Sequence, residues 1–170
     1  MATMQKITSN LWFDDRIEDA VKFYTSVFKN SRVGRITHFG KEGYEIHGRK
    51  EGAIMTIEFW LENQGFVALN GGPLFKFNEA ISFIVNCETQ GEIDYYWEKL
   101  TEGGDKNAQQ CGWLKDKFGL SWQIVPTILP DLMSSSDHEK SDRVMKALLQ
   151  MKKLDIASLQ QAFAEEEVHA

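Results

Sequence analysis

A chain of 170 residues with 42% hydrophobic content can bury one substantial core, or two small modules sharing one, and a second independent domain is not expected. The net charge of -6, with Lys and Arg scattered among acids, excludes a non-specific binder of phosphate backbones, and no run nears the ~20 apolar residues of a membrane span. Met1 to Asn10 carries neither the basic segment nor the apolar block of a signal peptide, so the cytoplasm is the expected compartment; Cys87 and Cys111 lack C-x-x-C spacing and read as buried free thiols.

Ile7 to Phe13 predicts a short strand with Ile7, Leu11 and Phe13 on one face and Thr8, Asn10 and Trp12 on the other. A helix follows, capped by Asp14 or Asp15, with Ile17, Ala20, Val21, Tyr24 and Phe28 at helical spacing and Asn30-Ser31 ending it. Arg32 to His38 is a second strand and Gly40 to Gly52 a polar loop. Ala53 to Leu61 and Phe66 to Leu69 are two further strands across a turn at Asn63-Gln64-Gly65.

The order then repeats. Ala80 to Asn86 predicts a strand, and Glu92 to Leu100 a helix with Ile93, Tyr96, Trp97 and Leu100 inward, stopped by Gly103-Gly104. An extended stretch through Gln109 leads to Cys111 to Pro126, two strands around Lys117-Phe118-Gly119; in the second, Leu120, Trp122 and Ile124 share one face, and Ser121, Gln123 and Val125 the other. Two βαβββ units at a spacing of ~70 residues indicate an internal duplication. The expected division is a domain over 1–130, with modules at about 5–70 and 79–126 and a Gly-Gly-Pro linker at 71–78, then a helical extension over 131–170. In that extension Ser136-Asp137-His138-Glu139 fits a capping box ahead of Val144, Ala147, Leu148 and Met151. A second helix near Asp155 presents Ile156, Leu159 and Phe163, and Glu165-Glu166-Glu167 reads as a solvated end. The pair is expected to dock on the sheet or on a partner subunit.

These motifs closely resemble the PhnB-like family of the vicinal oxygen chelate superfamily, which includes the glyoxalase and bleomycin-resistance proteins. Many PhnB-like members bear the label 3-demethylubiquinone-9 3-methyltransferase. The resemblance runs through Asn10-Leu11-Trp12-Phe13, Phe23-Tyr24, Leu69-Asn70-Gly71-Gly72-Pro73 and Tyr96-Trp97. It is densest at Cys111-Gly112-Trp113-Leu114-Lys115-Asp116 and Phe118-Gly119-Leu120-Ser121-Trp122-Gln123, and continues into Met151-Lys152-Lys153-Leu154-Asp155. It implies an α+β fold of paired βαβββ modules forming a cupped mixed sheet, and commonly a homodimer.

In the superfamily, metal chemistry uses His and Glu from the first strand of each module and the last strand of the second. The positions here offer Thr8 or Asn10, Ala80 or Ser82, and Gln123, which are poor ligands for zinc, manganese or iron, so no metal and no cofactor is expected. A relocated site at His38 or His47 has no spaced partner histidine; His138 reads as part of a helix start and His169 as tail. Methyl transfer from S-adenosylmethionine usually uses a Gly-rich loop after the first strand, where this chain has Asp14-Asp15-Arg16-Ile17.

If the resemblance holds, parity turns Thr8, Asn10, Trp12, Thr56, Glu58, Trp60, Asn70, Ser82, Ser121 and Gln123 toward a cavity. The expected ligand-binding residues are Asn10, Trp12, Trp60, Asn70, Ser82, Trp113 and Gln123, a lining suited to a small, partly planar organic ligand. Phe75 and Phe77 serve as a lid or as dimer anchors. Glu58 is the candidate acid or base if Trp12 and Trp60 enclose it, and otherwise a solvent-facing strand residue. Three functions stay open: a metal-independent small-molecule binder; an enzyme, either the methyltransferase of the label or a metal-free lyase or isomerase; and an interaction protein using its C-terminal helices.

Overall fold

The computed structural model describes residues 5–165. The chain divides into two compact units, Met1–Phe77 and Asn78–Ala170, each with its own four-stranded mixed sheet. The fold is α+β, with the βαβββ order present twice.

The first unit runs β1 (Ser9–Phe13), α1 (Ile17–Val27), β2 (Ser31–His38), α2 (Tyr44–His47), β3 (Ile54–Leu61) and β4 (Gln64–Asn70), in the sheet order β1-β4-β3-β2. β1 is parallel to β4, and the other pairs are antiparallel. Period-two alternation turns Leu11, Phe13, Ile57, Phe59, Leu61, Phe66 and Ala68 to one face, where all are buried. α1 covers that face with Ile17, Ala20, Val21, Tyr24 and Val27, and the fully buried Tyr24 ring lies near-parallel to Phe59 at 6.3 Å. Side chains of that size each stabilise the fold by ~1.5–3 kcal/mol through burial alone.

Several boundaries differ from the sequence expectation for local reasons. Neither Asp14 nor Asp15 caps α1: Arg16 takes the N-cap position in the left-handed region, and Asp15 Oδ1 instead accepts from the Arg16 backbone N–H. α1 stops at Val27, with Phe28 extended but still buried. The polar loop holds the single turn of α2, bounded by Gly43 and Gly48 at positive φ. The β3–β4 turn lies at Glu62-Asn63, one residue earlier than Asn63-Gln64-Gly65. Both residues have positive φ, the two-residue geometry that matches strand twist. Asn30 secures it, because its Nδ2 donates to Glu62 Oε2 at 2.7 Å.

The second unit runs β5 (Phe83–Cys87), α3 (Gln90–Thr101), β6 (Asp105–Gln110), β7 (Trp113–Lys115), β8 (Ser121–Pro126), α4 (Leu129–Met133), α5 (His138–Leu148) and α6 (Ile156–Ala164), in the sheet order β5-β8-β7-β6. β5 starts three residues later than expected, since Asn78 Oδ1 accepts from Ala80 N–H and curls the chain into a local turn. α3 opens on a full capping box between Thr89 and Glu92. Cys111 and Gly112 both have positive φ between the paired Gln110 and Trp113, so they form a tight β6–β7 turn and not the start of a strand.

In the extension the cap of α5 is Asp137, one residue past Ser136, and it accepts from Lys140 N–H. Asp155 caps α6 through Ser158 N–H. The short α4, headed by Leu129-Pro130, was not foreseen because one turn gives no periodicity to read. Leu132, Val144, Leu154 and Leu159 form a buried cluster joining α4, α5 and α6. Residues 149–156 then strap this cluster to the second unit. Met151 and Lys152 carbonyls accept from Cys111 N–H (2.8 Å) and Gly112 N–H (2.7 Å), and Gln110 Nε2 donates to Leu149 O. Gln90 holds both Leu154 O and Ile156 N–H, and Lys153 pairs with Asp94 at 2.5 Å. The helices are therefore tied to the β6–β7 turn and to α3 of their own unit. Glu166, Glu167 and His169 lie outside the described residues.

Candidate functional site

On the first sheet, the face opposite α1 carries Asn10 and Trp12 from β1, Thr56, Glu58 and Trp60 from β3, and Val67 and Leu69 from β4, aligned by the register Asn10 with Val67, Trp12 with Leu69, and Glu58 with Val67. The structure thus brings together Asn10, Trp12, Glu58 and Trp60 on one surface. Asn70 departs from it. It has the parity of Phe66 and Ala68, pairs with Phe13, and is buried on the α1 side, where Nδ2 donates to Ile54 O and Oδ1 has no partner. Sequence reasoning turned it toward the cavity by parity, but the observed register puts it in phase with Phe66 and Ala68 and so on the opposite side.

Trp12 is clasped by its own linker. Its Nε1 donates to Gly72 O at 2.8 Å, Phe75 meets it edge-on at 4.9 Å, and a Cβ at Gly71 would stand inside the indole. Phe75 is therefore a partial cover over Trp12, while Phe77 packs on Phe13. Glu58 is not enclosed by the two tryptophans: Arg35 lies 3.8 Å from its Oε1, and the Glu58 side chain is 34% exposed. Trp60 is fixed from two directions, by Gly34, where a Cβ would stand 2.5 Å from the ring, and by the Arg32 guanidinium 3.5 Å from the ring centroid. Sequence reasoning passed over Arg32, although a basic residue directly cross-strand from a tryptophan is readable once the register is known.

On the second sheet, Trp122 and Ile124 are buried with Ile93 and Leu100 of α3, and the opposite face carries Trp113, Lys115, Ser121 and Gln123. Gln123 Nε2 donates to Ser82 Oγ at 2.8 Å. Ser121 Oγ is buried without a partner, and Lys115, its cross-strand neighbour, pairs with Glu79, whose carboxyl that ammonium holds below its ordinary range. Asp116 secures the β7–β8 turn: Oδ1 accepts from Phe118 and Leu120 N–H, and Oδ2 from the Trp122 indole.

Among the described residues no three His, Cys, Asp or Glu side chains converge as a metal site. The donors at the superfamily positions are an amide and hydroxyls, so they do not fit a transition metal. His47 packs against Phe39 at a tilt, 4.5 Å between ring centroids, and its Nδ1 accepts from Arg49 N–H, a structural role. Nor do two carboxylates in the β1–α1 turn fit the pyrophosphate- or cofactor-cradling use of a glycine loop.

Comparison with known proteins agrees with this architecture. A family model described as 3-demethylubiquinone-9 3-methyltransferase matches residues 5–125. A solved Bacillus cereus structure, described as a putative 3-demethylubiquinone-9 3-methyltransferase and PhnB protein, is 34% identical over 72% of this chain and 100% of its own, with a TM-score of 0.62. Two more distant structures share the fold. A Pseudomonas aeruginosa protein is 18% identical over 72% of this chain and 98% of its own, TM-score 0.57. The fosfomycin resistance protein FosX of Listeria monocytogenes is 14% identical over 79% of this chain and 100% of its own, TM-score 0.52. No curated protein matches. With both βαβββ units inside the matched span, the chain belongs to the PhnB-like, 3-demethylubiquinone-9 3-methyltransferase family of vicinal oxygen chelate folds.

Proposed function

We propose that this protein binds a small, partly planar organic molecule without a metal, through the sheet faces that the helices do not cover, and works as a cytoplasmic homodimer. The observation that carries this reading is the Gln123–Ser82 hydrogen bond: a neutral amide and a hydroxyl satisfy each other where the superfamily places charged metal ligands. Asn10, Trp12 and Trp60 on the first sheet, and Trp113 and Gln123 on the second, supply aromatic area and neutral hydrogen-bonding groups. No described helix is long and apolar enough to cross a membrane, and the acidic chain favours no nucleic-acid partner. Native mass spectrometry of protein purified without chelator, with metal analysis on the same batch, tests the reading. A copurified organic mass supports it, and stoichiometric metal sinks it.

An enzyme of the same fold is the second reading, favoured by the description of the matching family. Methyl transfer, or a metal-free lyase or isomerase step using Glu58, would then be the activity. Glu58→Gln separates the readings, since lost turnover with unchanged ligand affinity supports catalysis. The interaction reading is weakened by the strap, which commits the C-terminal helices to their own unit.

A further inference from the structure

We propose that Arg32, laid on Trp60, is an anion-recognition group, and that the ligand of the first sheet is a small planar organic acid. The proposal rests on the small-molecule reading above and narrows its ligand class. Two observations meet at this point of the face opposite α1. Arg32 is cross-strand from Trp60, with its guanidinium 3.5 Å from the ring centroid, and Gly34 lets the indole settle onto β2. Among the described residues Arg32 has no ion-pair partner, whereas Arg35 faces Glu58 and is 75% exposed.

Held 3.5 Å from the indole centroid, the Arg32 guanidinium is restrained by the ring while the residue stays exposed to solvent. A guanidinium so held suits bidentate capture of a carboxylate, and its plane can also stack a ring. Arg32 adds a guanidinium beside the Arg35–Glu58 pair on a chain of net charge -6. A polyanion would be repelled by the rest of the surface, and a small monoanion would not. Orientation of Arg32 costs the ligand little, because Trp60 already restricts it.

The test is titration of the full chain with 1-naphthoate and with 1-naphthamide, the same ring without the anion, followed by the Trp60 indole N–H signal in NMR. Naphthoate should bind about 10-fold more tightly than naphthamide, the size of one charge-assisted bidentate contact. Arg32→Gln should bring the affinities for the two probes together, with Arg32→Lys in between. On the wild-type chain alone, added salt should weaken naphthoate and spare naphthamide. Equal affinities for the two probes overturn the anion proposal and leave small-molecule binding standing. No binding of either probe, or naphthoate affinity unmoved by Arg32→Gln, also overturns it. The wider reading falls separately, on the copurification experiment.

Discussion

Gln123 on β8 donates from Nε2 to the Ser82 hydroxyl, 2.8 Å away and just ahead of the parallel neighbour β5. The bond commits the amide N–H to a contact across the two strands and leaves Oε1 as the side chain's acceptor. Gln123→Ala should cost about 1 kcal/mol in urea unfolding, the net worth of a part-buried hydrogen bond. Gln123→Glu should cost less, since Ser82 can reverse its role and donate to the carboxylate. It should still not bind zinc tightly, because its partner Ser82 remains neutral, and calorimetry showing tight zinc binding by this variant would refute the donor-set argument.

Asp116 should prove the most sensitive buried polar side chain of the second unit. Its two oxygens accept three N–H groups, from Phe118, Leu120 and the Trp122 indole. Asp116→Asn leaves one oxygen, and either amide orientation turns an NH2 toward a donor. The expected loss is roughly 2 kcal/mol by urea unfolding, and a change under 0.5 kcal/mol would count against the network.

Gly112 and Gly119 have nearly the same φ, +84° and +87°, but different surroundings. A Cβ at Gly112 would stand 2.9 Å from Ile124 O and 3.1 Å from Leu154 Cδ1, whereas one at Gly119 meets nothing within 4 Å. Gly119→Ala should therefore cost only the conformational penalty of ~1–2 kcal/mol, and Gly112→Ala more, because the strap must also shift. Thermal melts of the two variants check the order.

The repeat and most of its elements were legible because alternation and helical spacing are local properties. Tyr24 and Phe59, or Trp122 and Ile124, announce a buried face without knowledge of their partners. What escaped depends on pairing or backbone sign. Arg16 and Cys111 take positive φ although neither is glycine, and Asn70 reads as a site residue until its parity with Phe66 is fixed. Arg32 had no meaning before β2 and β3 were in register. The strap between Met151-Lys152 and Cys111-Gly112 joins segments about 40 residues apart through main-chain atoms, which carry no side-chain signature.

Cys87 and Cys111 should differ in alkylation. Burial pushes the Cys87 thiol up to about 12, with Glu92 adding to it, so at about pH 8 it holds its proton and stays unlabelled in the folded chain. Mass spectrometry after iodoacetamide should find adducts only at Cys111 until urea is added. Labelling of Cys87 in folded protein would contradict its environment.

The strap also carries a pH dependence whose sign follows from its carboxylates. The hydrogen bond from Lys153, aided by Gln90, holds Asp94 below its ordinary range, and the Ser158 side chain and N–H do the same for Asp155 at the head of α6. A carboxyl whose native value is depressed stabilises the fold fully above its unfolded value, about 4, and loses that contribution as pH falls through the native value. Strap docking should therefore be intact near neutrality and loosen below about pH 4, before the cluster of Val144, Leu154 and Leu159 opens. The reporters are the Cys111 and Gly112 amides, which the Met151 and Lys152 carbonyls protect. Their NMR shifts, followed from about pH 6 to about pH 3, should move together, and Lys153→Ala should start that movement at higher pH because Asp94 regains its proton more readily. Shifts that stay flat across the range, or that Lys153→Ala leaves unchanged, would show that the main-chain bonds hold the strap without the Asp94 pair.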